Sequence, residues 1–292
     1  MGTKPGIRLI VSDVDRTLLT NAYVLPKRVV DAVRATEAAG IRVVLATARS
    51  PIGVSRYVTQ LGLTGPTICF NGAWTGDLAK GCGFDSHTLG NQAATDVMEF
   101  AQAAGLSPMW YEFDRVHVIK RNDLTEREAA KTGEPLFVTP LADLVAGPHK
   151  IMCIADRPEH LTKIEAVREA FCGRLAMSSS HPRLLEICAR GVSKGTAVAN
   201  LAGSLGFKPD QCAAAGDAEN DLEMLAWAGV ALTVGNAIPE AKRLAHYVGS
   251  SCDQGGIAEG FNWILQEQVG RTAFPDTRPL SCDQSTPRLQ EY

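Results

Sequence analysis

Apolar residues come along this chain in short unbroken runs, separated by stretches in which they recur every three or four positions. The first run, Leu9-Ile10-Val11, breaks off in Ser12-Asp13-Val14-Asp15-Arg16-Thr17. Uniform runs of this kind predict strands buried on both faces of a parallel sheet. Residues 25–39 carry Val29, Val30 and Val33 at helical spacing and stop at Gly40, which predicts a helix. Residues 41–46 predict the second strand, 51–61 a helix, and 67–70 a third strand ahead of the Asn71-Gly72 turn. Strands and helices alternating at this spacing imply right-handed crossovers and a parallel sheet.

From about Asp85 the alternation changes. A helix at 90–104 precedes extended stretches at 109–113 and 116–120 and short helix candidates at 125–131 and 141–146. A strand at 150–155, a helix at 158–171 and strands near 174–178 and 183–188 follow. That order predicts an α+β domain with an antiparallel-rich sheet, inserted into the parallel one. The parallel pattern resumes with a helix at 193–206 and a small-residue strand that ends at Asp217. A helix at 221–228, a strand at 230–234, a helix at 238–244, a strand at 247–248 and a helix at 257–265 complete it. The predicted division is a core at 1–84, an insert at 85–188, the core again at 189–267, and an aperiodic tail at 268–292 read as mobile.

Composition bounds the function. At 292 residues, 45% hydrophobic and 21% charged, the chain suits two ordinary globular domains. A net charge of −3 offers no general field for nucleic acid or an anionic membrane. No apolar run is long enough to span a bilayer, and Met1-Gly2-Thr3-Lys4-Pro5-Gly6 leads straight into the first strand, which predicts no signal peptide. The eight cysteines show no close pair, and several lie in apolar strands, which predicts buried reduced thiols and a cytoplasmic protein.

Ligands of an open parallel sheet gather beyond the carboxyl ends of its strands. Asp13 and Asp15 stand at one such end, Thr47 at the next, Asp217, Asn220 and Asp221 at another, and Lys194 at a helix start. Each has an ordinary reading when taken singly. Asp-x-Asp is a turn leaving a strand, Thr47 a helix cap, Lys194 a solvated lysine, and Gly216-Asp217-Ala218-Glu219-Asn220-Asp221 an acidic turn. Taken as one edge, they suit a phosphate monoester dianion, which needs a cation, a hydroxyl, an ammonium and backbone N–H groups around its oxygens. The carboxylates suit Mg2+, a hard cation with oxygen ligands. Asp13 can attack phosphorus, while Asp15 can protonate the leaving oxygen and later deprotonate water. Asp217 and Asp221, a helical turn apart, can direct carboxylates to one metal or hold Lys194 in place.

Four segments resemble, in order, the motifs of the haloacid dehalogenase superfamily: Asp13-Val14-Asp15-Arg16-Thr17-Leu18-Leu19, Ala46-Thr47-Ala48-Arg49, Gly191-Val192-Ser193-Lys194-Gly195 and Gly216-Asp217-Ala218-Glu219-Asn220-Asp221. Within it the chain is similar to the Cof-type hydrolases with a large cap. Ile68-Cys69-Phe70-Asn71-Gly72-Ala73, Gly235-Asn236-Ala237 and Asp253-Gln254-Gly255-Gly256-Ile257-Ala258 resemble lesser signatures of the same group. The resemblance runs from about Leu9 to Leu265. It implies a Rossmann-like α/β core with a cap inserted after the third strand, and Mg2+-dependent phosphatase chemistry. By it, Asp13 is the nucleophile and Asp15 the acid–base. Thr47, Ala48, Lys194 and Asn220 bind phosphate, Asp13, Asp15 and Asp217 hold the metal, and Asp221 and Arg49 support them.

Three positions depart from the family pattern. Arg16 and Ala48 stand where glycine is usual, and Cys252 where asparagine is usual. Arg16 is expected to keep ordinary dihedrals and point away from the site, the alternative being an added cation near the phosphate. The expected enzyme hydrolyses a small phosphomonoester, a sugar phosphate or related metabolite, as a monomer or small homo-oligomer. A phosphatase of a larger phosphorylated glycoside or a phosphomutase keeps the fold with another reaction. A weakly catalytic phosphate-binding regulator is the alternative outside enzymes.

Overall fold

In the computed structural model, which describes residues 6–267, the first apolar run forms β1 (Leu9–Ser12), every residue of it buried. α1 (Lys27–Ala38), β2 (Arg42–Ala46), α2 (Pro51–Leu61) and β3 (Pro66–Cys69) follow as the alternation predicts. Next comes a hairpin that the pattern did not predict, β4 (Trp74–Asp77) and β5 (Cys82–Ser86), antiparallel with a register shift at Thr75/Gly76. The chain continues through α3 (Asn91–Ala103), β6 (Ser107–Tyr111), β7 (Val116–Val118), α4 (Asp123–Thr132) and β8 (Leu136–Val138). β9 (Lys150–Ile154), α5 (Leu161–Phe171), β10 (Ala176–His181) and β11 (Leu184–Cys188) come next. α6 (Lys194–Ser204), β12 (Cys212–Ala215), α7 (Leu222–Trp227), β13 (Val230–Thr233), α8 (Pro239–Leu244), β14 (Tyr247–Val248) and α9 (Ile257–Glu267) close the described chain.

The chain divides into two compact units. The first is made by the segment ending at Thr47, by Arg56–Ile68, and by the segment starting at Lys194. Its parallel strands run in the order β14-β13-β12-β1-β2-β3, so β1 lies between β12 and β2. The all-small strand Cys212-Ala213-Ala214-Ala215 is fully buried beside it. Its small side chains leave room for Leu9, Ile10 and Val11, each 0% exposed.

Ala48–Ser55 and Cys69–Ser193 build the second unit. Its six-stranded sheet has the order β10-β11-β9-β6-β7-β8, antiparallel except for the β7–β8 pair. α3 and α5 pack against it over a separate core that includes Val97, Met98, Trp110, Ile151, Val167, Leu185 and Ile187. Two independent cores explain why the sequence pattern changes between them. The turn at Gly81 closes the β4–β5 hairpin, its N–H donating to the Leu78 carbonyl (3.3 Å).

Among the described residues six cysteines are free thiols, five of them buried, whereas Cys82 is disulfide-bonded, which corrects the all-thiol expectation. No helix among the described residues is long and apolar enough to cross a membrane. The tail expected at 268–292 lies outside the described residues.

Candidate active site

The register of β1 decides where its polar end emerges. Ser12 lies opposite Ala215 on one side and Leu45 on the other, and the Asp13 N–H extends the ladder by donating to the Ala215 carbonyl (2.8 Å). Asp13 therefore leaves the strand level with Gly216, where β12 turns into the acidic loop. Lys194, the first residue of α6, sits between the two carboxylates of this edge. Its Nζ donates to Asp13 Oδ1 at 2.5 Å and to Asp221 Oδ1 at 2.8 Å. At 1% exposure this lysine is a core residue, not the solvated one that its type alone suggests.

Asp221 is committed on both oxygens. Oδ2 accepts the N–H groups of Asp217 (2.8 Å) and Ala218 (3.0 Å), so one carboxylate folds the loop and orients the lysine. A Cβ at position 216 would lie 2.4 Å from Asp221 Cγ, so that position takes only glycine. Asp217 accepts from Thr17 Oγ1 at 3.4 Å. Asn220 is buried in the same loop, and Thr47, also buried, follows β2 with its N–H on the Ile68 carbonyl (2.9 Å). Asp15 is half-buried nearby, close enough to raise the Asp13 pKa.

Arg16 departs from expectation. Its φ of 60° is left-handed, a conformation that costs a non-glycine residue about 1 kcal/mol or more. Nor does its side chain point away. Nε is buried without a hydrogen-bond partner and lies 3.7 Å from Asp217 Oδ2. Asn236 holds the residue from both ends, donating Nδ2 to the Arg16 carbonyl (3.0 Å) and accepting from Nη2 through its own carbonyl (3.5 Å). The Asn236 side-chain oxygen in turn takes the Cys252 N–H (2.7 Å). At 252 the structure thus uses the backbone, which explains why a cysteine can stand there.

Ala48 and Arg49 belong to the second unit. There the Ala48 carbonyl accepts from Lys150 Nζ (2.7 Å), and Lys150 pairs with Glu186 (3.1 Å), whose other oxygen takes Asn71 Nδ2 (2.9 Å). The Arg49 guanidinium donates to the Gly53 carbonyl (3.1 Å), and its own carbonyl takes the Phe70 N–H (2.9 Å). The sequence reading missed Lys150 and Glu186, buried at 3% and 2%. The available signal was a charge set among apolar strand residues, in Lys150-Ile151-Met152 and Leu185-Glu186-Ile187.

The sequence pattern of the haloacid dehalogenase-like hydrolases matches residues 10–261. The chain belongs to that family. It is an enzyme, a phosphoric monoester hydrolase of the haloacid dehalogenase type. YxeH of Bacillus subtilis (strain 168) is 30% identical over 271 residues, covering 88% of this chain and 98% of that protein. An HMP-PP phosphatase of Serratia proteamaculans is 30% identical over 264 residues, covering 86% and 93%. The crystal structure of a haloacid dehalogenase-like hydrolase from Bacteroides thetaiotaomicron superposes with a TM-score of 0.78 at 25% identity, covering 88% and 99%.

This haloacid dehalogenase-like hydrolase has the donor set for a hard cation. Asp13, Asp217 and Asp221 each offer an oxygen within 4.8 Å of the others, and all three are buried. Burial, then the facing carboxylates, push the Asp13 pKa well up, although Lys194 pulls it down. Burial and Asp221 raise Asp217 to about 7, against the pull of Arg16 and Lys194. Burial alone would lower Lys194, yet the Asp13 and Asp221 carboxylates outweigh it and hold the ammonium above its ordinary value. The site therefore carries more negative charge than its own cations balance, an excess that a divalent cation could offset. Since Asp221 is already engaged, Asp13 and Asp217 are the residues with oxygens to offer.

Proposed function

We propose that the protein is a Mg2+-dependent phosphatase of small phosphomonoesters, sugar phosphates or related metabolites, acting through an aspartyl-phosphate. The observation that carries this reading is the Asp13 carboxylate at the end of β1, held on one oxygen by a fully buried ammonium beside a second acidic loop. With Oδ1 fixed by Lys194, Oδ2 attacks phosphorus, forming an Asp13–phosphorus bond as the ester P–O bond breaks. Asp15 delivers its proton to the departing alcohol oxygen, then accepts one from the water that attacks the phosphoenzyme and releases phosphate. Lys194 and the Thr47 hydroxyl stabilise the phosphoryl oxygens. Mg2+, held by Asp13 and Asp217, would supply further neutralisation of those oxygens. Asp221 positions Lys194 and the loop, with Asn220 beside it.

These groups recognise only the phosphate that all substrates share. We assign selection of the leaving group to the second unit, the insert expected as a cap, with Ala48 and Arg49 anchored in it. HMP-PP, for which the Serratia relative is named, belongs in the substrate panel beside sugar phosphates.

Hydrolysis of a generic aryl phosphate, assayed with Mg2+ and again after chelation, tests the reading. Activity is expected only with the metal, and activity undiminished by chelation would overturn the metal assignment. Adding Mg2+ is also expected to raise the melting temperature more at about pH 8 than at about pH 6. The reason lies in Asp217, whose folded pKa of about 7 lies above the unfolded carboxylate value. Without a cation, its ionisation costs stability as pH rises toward 7, and at pH 6 a proton competes with the metal. Equal shifts at both pH values would exclude Asp217 as a ligand. Asp15→Asn is expected to slow turnover by roughly 10^2–10^4-fold, the usual weight of general acid–base catalysis. Turnover within threefold of the unsubstituted enzyme would assign the acid elsewhere.

A further inference from the structure

Four carboxylates and two cations meet at the end of β1: Asp13, Asp15, Asp217 and Asp221 against Lys194 and Arg16. Lys194 satisfies Asp13 and Asp221 at hydrogen-bond distance. Arg16 does something different. Its Nε approaches Asp217 Oδ2 only to 3.7 Å, as a charge and not a hydrogen bond, and that nitrogen has no other partner. The approach is also not a loose surface encounter. A left-handed backbone aims the side chain, and Asn236 fixes both the carbonyl and the guanidinium. The Asp217 side chain is 4% exposed, so water screens the pair weakly on that side.

We propose that Arg16 is a built-in counter-charge to Asp217 that competes with the divalent cation and weakens its binding to the substrate-free enzyme. This inference rests on the metal reading above and concerns what the chain's own charge does to it. A fixed monovalent cation one side chain away from a doubly charged ion costs that ion about tenfold in affinity even at water-like screening. The same charge is attractive to a phosphate dianion, so Arg16 favours entry of the cation together with substrate over entry alone.

Calorimetric titration of the substrate-free, full-length protein with MgCl2 tests this directly. Arg16→Gln removes the charge and keeps the backbone strain, Arg16→Gly removes both, and Arg16→Lys keeps the charge. The Gln and Gly variants are expected to bind Mg2+ about tenfold more tightly, and the Lys variant within about threefold of the unsubstituted protein. Tightening in the Gly variant alone would overturn the proposal, because backbone relief and not charge would then be the cause. Unchanged or weaker binding in the Gln variant would overturn it as well, while leaving the metal assignment in place. No Mg2+ binding by any of the four proteins would overturn the metal reading and this inference with it.

Discussion

Asp13→Asn is expected to abolish turnover while leaving the fold intact. The amide has nearly the shape of the carboxylate, and its oxygen can still accept from Lys194, whose second partner, Asp221, is untouched. What is lost is the proposed nucleophile, since a neutral amide attacks phosphorus poorly. The folded state gives up a charge that burial already disfavours, so the melting temperature is expected to stay level or rise. Turnover and thermal unfolding of the same preparation separate the two effects. A variant that still turned over and formed the same phosphoenzyme would place the nucleophile on another residue.

The second large effect is expected at Lys194. Lys194→Met fills much the same volume, but it strands the Asp13 and Asp221 carboxylates in a buried site without their shared ammonium. Breaking a buried ion pair from one side costs about 3–5 kcal/mol, a large share of the 5–15 kcal/mol that typically holds a domain together. Activity is expected to vanish as well, because the ammonium fixes Asp13 and is the proposed partner of the phosphoryl oxygens. Denaturant unfolding measures the first consequence and an aryl phosphate assay the second. A loss of stability below about 1 kcal/mol would show that the carboxylates find another balance.

Most of the parallel core could be read from the chain because strands buried on both faces write their pattern locally. Leu9-Ile10-Val11 and Arg42-Val43-Val44-Leu45 need no distant contact to be recognised. The β4–β5 hairpin is different. Trp74-Thr75-Gly76-Asp77 has neither a β-branched run nor strict alternation, and its glycine sits at the bulge. β8 escaped notice because its three residues are half-buried or exposed and its pairing is with β7, some twenty residues back. At 158–171 the continuous helix expected from the pattern opens with a 3₁₀ turn over Pro158–His160 before α5 begins. The stretch expected to be helical at 141–146 is only a 3₁₀ turn, Leu141–Asp143.

The site followed the same division. Asp13, Thr47, Lys194 and Asp217 each stand in a recognisable local phrase. What Arg16 does depends on Asn236, and what Lys150 does depends on Glu186, contacts that no window of neighbouring residues contains. The left-handed backbone at Arg16 was the least readable feature, since the sequence offers no glycine there to announce it.

The position of β1 between β2 and β12 sets a timetable for the nascent chain. Asp13 is made roughly 200 residues before its ladder partner Ala215 and the carboxylates of Asp217 and Asp221. At the usual 5–20 residues per second, β1 waits about 10–40 s with one edge unpaired and Asp13 without its lysine. Lys194 emerges before the acidic loop, so its partner Asp221 is the last of the three residues to be made. On the ribosome, then, the second unit can complete its own core before the chemistry at the end of β1 exists at all.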